Sequence, residues 1–241
     1  MSPPALRVLV DQRGVTGRDQ VADEPDDAAL ERWYAVPSRP WLRANMVTTL
    51  DGAATGGDGR SGSINNEADH RVFATLRRVC DAVLVGAGTA RAEGYRPARR
   101  PIVVVSRRGA VPPGLLGGPP GSVLLATCGA APDLGPARDT LGADRVLVCG
   151  DEAVDLTVVR RELADRGLTS VLCEGGPSLL ADALRAGIVD ELCLTTVPLL
   201  AGGTGPRLLG ESGLDAARPA ELTLLLESSG TLLARWSLPP R

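Results

Sequence analysis

The sequence predicts an α/β fold: a mostly parallel central sheet flanked by helices and finished by an antiparallel C-terminal hairpin. Three observations lead there. Short β-branched or Leu-rich runs recur along the 241 residues. Between several of them lie amphipathic stretches whose apolar residues recur at three and four. The last two apolar runs are separated only by Ser229-Gly230, with no helical stretch between them, which is a hairpin signal. Strands alternating with helices need right-handed crossovers and therefore pair in parallel.

In chain order, residues 1–39 form an N-terminal extension expected to pack on the same single domain, with a helix over Asp26–Tyr34 stopped ahead of Pro37. The remainder, 40–241, begins with a buried strand over Trp41–Thr49. A helix follows over Glu67–Arg78, where Val72, Phe73, Leu76 and Val79 share a face that excludes Arg71, Arg77 and Arg78. Strands are expected over Ala82–Gly86, Ile102–Ser106, Ser122–Thr127, Arg145–Cys149, Ser170–Glu174 and Glu191–Pro198, and helices over Val154–Arg166 and Ser178–Ala186. The Gly/Pro-rich stretches 108–121 and 129–137 read as connections. Glu221–Ser228 and Thr231–Leu238 make the hairpin.

Composition narrows the function. With 44% hydrophobic and 23% charged residues the chain is expected to fold, and six aromatics leave its core to Val, Leu, Ile and Ala. A net charge of −3 with dispersed arginines argues against a nucleic-acid partner. No apolar run approaches bilayer length and the start lacks a signal-peptide pattern, so no membrane association and a cytoplasmic location are expected. Cys80, Cys128, Cys149, Cys173 and Cys193 read as buried free thiols. With His70 the single histidine and no C-x-x-C, no metal is expected.

Four segments carry chemistry. Asn45–Gly52 runs from a strand into a Gly-rich loop ending near Ser61 and Ser63, at the strand end where α/β sheets bind ligands. Asp81–Gly94 ends a strand in Gly86-Ala-Gly88-Thr89, where backbone can approach a pyrophosphate; Arg91 breaks the dinucleotide fingerprint. Ser170–Leu180 repeats the pattern with Glu174, Gly175, Gly176 and Ser178. Two such junctions suggest a dinucleotide. Ser106 and Arg107, directly after a strand, are suited to an adenosine 2′-phosphate, which would select NADPH over NADH; a solvated basic turn is the alternative.

In this order the segments TLDG (49–52), Ser61–Ile64, DAVLVGAGTARAEG (81–94), CEGGPSLL (173–180) and VDELCLTTVPLLAGG (189–203) resemble the riboflavin-biosynthesis pyrimidine reductase family, whose fold is that of dihydrofolate reductase. The resemblance implies NADPH bordered by Val47, Thr49, Ser63, Gly86, Gly88, Thr89 and the Gly175-Gly176-Pro177-Ser178-Leu179 loop, with Ser106 and Arg107 at its 2′-phosphate. It implies that Asn45, Ser61, Arg77 and Glu174 face a phosphorylated pyrimidine substrate, and that Glu93 and Asp51 serve the reacting centre. The implied reaction is hydride transfer to C1′ of a ribosylamino-pyrimidine 5′-phosphate. Asn45 stands where bifunctional bacterial members often have Lys and archaeal and fungal members often have Asn, so the group at C2 of the pyrimidine stays open. Neither H-x-E nor P-C-x-x-C occurs, so the reductase half alone is expected, without a zinc deaminase. Dihydrofolate or pterin reduction, and NADPH binding without catalysis, are the alternative readings. A homodimer is expected, to cover the sheet edge near Glu191–Leu200 and the hairpin.

Overall fold

The structure, a computed structural model, describes residues 5–12, 25–211 and 213–239. Its elements run β1 (Arg7–Asp11), α1 (Asp27–Trp33), β2 (Trp41–Thr49), α2 (Glu67–Val79), β3 (Ala82–Gly86), α3 (Ala87–Ala92), β4 (Ile102–Val105) and β5 (Val123–Thr127). They continue with α4 (Leu134–Leu141), β6 (Val146–Val148), α5 (Leu156–Asp165), β7 (Ser170–Cys173), α6 (Pro177–Arg185), β8 (Glu191–Val197), β9 (Glu221–Ser228) and β10 (Thr231–Ser237). The strands form one sheet in the order β1-β9-β10-β8-β2-β7-β3-β4-β5-β6. From β8 to β6 all neighbours are parallel, whereas β10, β9 and β1 add antiparallel.

Side-chain alternation divides the core in two. Val83, Val85, Ile102 and Val104 pack with α1 and α2 on one face. Ala82, Leu84, Val103 and Ala126 pack with α5 and α6 on the other. Central β2 is buried on both faces, which is why its sequence is largely apolar apart from Arg43, Asn45 and the closing Thr48-Thr49.

Three expectations are corrected. The stretch 129–137 is not a plain connection, because α4 starts within it at Leu134. Pro136 sits in the first turn, where its missing N–H has no helical partner to lose, and Gly135-Pro136 reads as a breaker only without that context. Residues 7–11 form a strand, which the sequence left unassigned. That strand also changes the edge argument for a dimer: β8 is interior, and the outer side of β9 is already paired with β1.

The antiparallel end is fastened to the parallel part by a buried ion cluster. Glu191 on β8 pairs through Oε1 with Arg43 on β2 and through Oε2 with Arg235 on β10, the Arg235 Nε bond being 2.5 Å. The same arginines donate to the carbonyls at the end of α1, Arg43 to Tyr34 at 2.8 Å and Arg235 to Trp33 at 2.5 Å. Two cations on one anion also need the Tyr34 ring, which lies 5.7 and 5.9 Å from the guanidinium carbons. All five cysteines are free and buried. Among the described residues no helix is long and apolar enough to cross a membrane.

Candidate active site

A cavity of about 780 Å³ opens between α2, the middle of β2, the start of α3 and the loop after β7. Its floor is Asn45, Met46 and Val47, in a strand fixed on both sides by β7 and β8. One wall is α2. Asn66 caps this helix by accepting from the Asp69 amide at 3.1 Å, and its own side-chain amide donates to Thr231 at 2.7 Å. That cap fixes the rotation of the helix, so Asp69, Phe73 and Arg77, four residues apart, all line the cavity.

Arg77 donates through Nε and NH2 to the two oxygens of Glu174, each at 2.7 Å, and the Tyr95 hydroxyl donates to Glu174 as well. The guanidinium carbon lies 4.4 Å from the Phe73 ring centre and 5.4 Å from that of Tyr95. Glu174 is buried, and Arg77 is a third exposed on the cavity side of the fork. Burial opposes the Arg77 charge, but the Glu174 hydrogen bonds and charge outweigh it and raise its proton affinity. Burial and Glu174 likewise push the Tyr95 phenol up, so it stays a neutral donor. Glu93, at the end of α3, also lines the cavity and accepts the Ser61 amide at 2.7 Å.

The glycine junctions meet beside this wall. Gly86 donates to the Gly175 carbonyl at 2.8 Å, and Gly176 donates to the Thr89 hydroxyl at 2.9 Å. A Cβ on Gly175, whose φ is +75°, would lie 2.8 Å from the Met46 sulfur; one on Gly176 would lie 2.5 Å from Thr89 Oγ1. At Gly88 a Cβ would meet nothing and would project into open space. Bare backbone therefore faces the cavity there, which is what a pyrophosphate-bearing cofactor requires. The residues present fit a dinucleotide.

Of the residues expected at the site, Asn45, Val47, Ser61, Glu93 and Arg77 line the cavity together with Gly88, Thr89, Glu174, Gly176 and Pro177. Others lie behind that surface. Asp51 is outside the lining: its carboxyl accepts Thr49 Oγ1 at 2.6 Å and the amides of Ala201 and Gly202 at 3.0 and 3.1 Å. These bonds, Thr49 first, hold it down to about 2. Its backbone carbonyl also takes a bond from Arg207, so Asp51 and Thr49 organise the loop that brings Pro206 to the cavity wall. Ser63 turns away as well, donating to Asp58 at 2.6 Å. Gly86, Gly175 and Leu179 pack beneath the rim, next to Ser178. Ser106 is buried and Arg107 exposed at the end of β4, one strand beyond the cavity.

A family model described as RibD C-terminal domain matches residues 40–236. The chain belongs to this family. A 2,5-diamino-6-ribosylamino-4(3H)-pyrimidinone 5′-phosphate reductase of Methanothermobacter thermautotrophicus is 31% identical over 207 residues, covering 80% of this chain and 94% of the relative. A protein of the same description from Aquifex aeolicus is 29% identical over 191 residues, 73% and 84% of the two chains. Among solved structures, a pyrimidine reductase-like protein from Corynebacterium diphtheriae superposes with a TM-score of 0.75 at 26% identity, covering 84% and 93%. The riboflavin biosynthesis reductase Rib7 of Saccharomyces cerevisiae reaches 0.60 at 14% identity, covering 86% and 94%, a likeness of fold. The fold of this RibD-type domain is that of the pyrimidine reductase-like protein.

Asp69, Phe73, Tyr95 and Arg96 are among the cavity residues of the RibD-type domain that escaped the sequence reading. Asp69 had a signal. It falls on the buried stripe Ala68, Asp69, Val72, Thr75, Leu76 of α2, where an acid is out of character. Tyr95 and Arg96 follow α3 in a segment without periodicity and give none.

Proposed function

We propose that this protein is an NADPH-dependent reductase that converts a ribosylamino-pyrimidine 5′-phosphate into its ribitylamino product. The observation that carries the reading is one cavity lined by bare glycine backbone and, beside it, by the Arg77–Glu174–Tyr95 cluster. The names of the most similar relatives support the substrate class. When bound, NADPH supplies the hydride that adds to C1′.

Gly88, Gly176 and Pro177 border the cofactor's phosphates, with Thr89 holding Gly176 in place. Arg107 at the end of β4 takes the 2′-phosphate. Arg77, whose NH1 is outside the fork with Glu174, and Arg96 bind the substrate's 5′-phosphate. Phe73 excludes water beneath the Arg77 guanidinium. Glu93 keeps one carboxylate oxygen on the Ser61 amide and turns the other to the ribose, where it orients the hydroxyls and relays a proton from water to the oxygen released from C1′. Asp51 acts through the loop it holds. The five buried free thiols support work in the cytoplasm.

We also propose a homodimer, on a different surface from the sheet edge. Leu192 and Leu194 on β8, Leu222 and Leu225 on β9, and Leu232 and Trp236 on β10 lie in register on one face of the sheet. None is fully buried, and Leu232 is 39% exposed. A self-complementary apolar face of this kind suits a second copy.

Thermal unfolding with NADPH or NADH tests the cofactor. A ligand at 100 times its Kd adds about 2.7 kcal/mol. A rise with NADPH alone, lost in Arg107→Ala, is expected. Equal rises with both nucleotides would remove the 2′-phosphate role, and no rise with either would remove the cofactor.

A further inference from the structure

The turn that ends α3 brings Tyr95 to the cavity. Glu93 caps the helix, Gly94 follows at φ +68°, and the Gly94 and Tyr95 amides donate back to the Arg91 and Ala90 carbonyls at 3.2 and 2.9 Å. This is the paired helix closure in which a left-handed glycine is followed by a residue that packs back on the last turn. Tyr95 packs against the buried cluster that includes Ala90 and lines the cavity, and no reaction step described above uses it. It completes a network around Glu174. Arg77 gives Nε–H and one N–H of NH2 to the two carboxylate oxygens, and the Tyr95 hydroxyl donates to Oε2, the oxygen that NH2 already holds. A carboxylate oxygen has two lone pairs, so Oε2 is saturated and Glu174 loses the freedom of its terminal torsion.

Tyr95 also adds its ring, 5.4 Å from the Arg77 guanidinium carbon, to that of Phe73 at 4.4 Å. The chain has only six aromatics, and two of them converge on this one cation. Carboxylate and rings together fix the plane of the guanidinium. Three of its five N–H donors stay outside the fork, two on NH1 and one on NH2, and they form a flat outer edge that matches two oxygens of a phosphate. We infer that Tyr95 is a positioning residue for the substrate's phosphate: by its hydroxyl on Glu174 and by its ring it holds the outer edge of Arg77 in place. This rests on the reading of Arg77 as a phosphate ligand and adds the device that aims it. Without the hydroxyl, Oε2 has an open lone pair and Glu174 can turn, taking Arg77 with it. The charge at the site is unchanged and only its direction relaxes, so the loss falls on ligands that carry the phosphate.

Calorimetric titration in saturating NADP+ tests this with two ligands, the ribitylamino-pyrimidine 5′-phosphate product and the same compound without its phosphate. Wild type should bind the phosphorylated ligand at least about tenfold more tightly. Tyr95→Phe keeps the ring and removes the hydroxyl. It should reduce that preference about three- to tenfold, the size of one net hydrogen bond, and leave the affinity for the dephosphorylated ligand unchanged. In an Arg77→Ala background the same substitution should cost nothing further, because the two residues act as one unit. NADP+ affinity, read separately, should stay at the wild-type value and shows that the variants fold. A side chain that only supports the fold would lower affinity for both ligands and for NADP+ alike, and that result would overturn the inference. So would an unchanged preference in Tyr95→Phe, an additive loss in the double variant, or a wild type that binds both ligands equally or neither. Turnover does not enter this readout, so a failure of the proposed reaction would show up separately, in NADPH oxidation.

Discussion

At the scale of single residues, the proposed function assigns cofactor and substrate contacts to different cavity residues, and variants should separate them. Arg77→Ala removes one of the two arginines that line the cavity and leaves the glycines of its wall unchanged. It should raise KM for the phosphorylated substrate at least about tenfold, as expected for a lost charge-assisted bond, with little change in NADPH affinity. Equal losses in both, measured by steady-state kinetics and nucleotide titration, would refute the phosphate role. Gly175→Val has the opposite profile: at φ +75° and with the Met46 sulfur 2.8 Å from its Cβ, the loop must shift, and NADPH binding should be lost. Unchanged binding would dissociate this loop from the cofactor. At this scale much of the site is legible in the sequence, because glycine pairs and strand-end acids have local causes. Asp69 is legible only once the phase of α2 is known, and the link of Tyr95 to Glu174 spans 79 residues that no local pattern connects.

At the scale of elements, the Arg43–Glu191–Arg235 cluster joins β2, β8, β10 and the end of α1. Glu191→Gln leaves two buried guanidiniums without their anion, which should destabilise by about 3–5 kcal/mol. For a chain of this length that lowers Tm by roughly 6–20 °C in a thermal scan. A shift within 1 °C or so would mean the cluster is not needed. Burial raises the Glu191 carboxyl, but its two arginines push it further down, below its ordinary 4.5. Its contribution to stability is therefore complete above pH 4.5 and is lost as pH falls below that value, a loss absent from Glu191→Gln. The elements with strong periodicity, α2, α5, α6 and the strands from β2 to β10, are readable because burial imposes that periodicity. The strand β1 is short and at an edge, with Arg7 and Leu9 exposed, so it carries almost no pattern. The helix α4 hides behind Gly135-Pro136.

At the scale of the whole molecule, parallel β-strand ends open the cavity while the antiparallel end offers its half-exposed apolar face. Sedimentation equilibrium should give twice the 25.0 kDa of one chain, and Leu232→Asp should reduce it to a single chain without loss of NADPH binding. A monomer in the unmodified protein would leave that face for another partner. The two ends also divide what the sequence reveals: the fold class follows from alternation of strand and helix, whereas the pairing of β1 with β9 joins residues more than 200 positions apart and only the folded chain displays it.

The most direct measurement is the fate of a labelled hydride. Purified protein is given NADPH deuterated at C4 with 2,5-diamino-6-ribosylamino-4(3H)-pyrimidinone 5′-phosphate, and the product is examined by mass spectrometry and NMR. The expected result is a ribitylamino product carrying deuterium at C1′. Absence of NADPH oxidation, or oxidation with dihydrofolate and not with the ribosylamino compound, would contradict it.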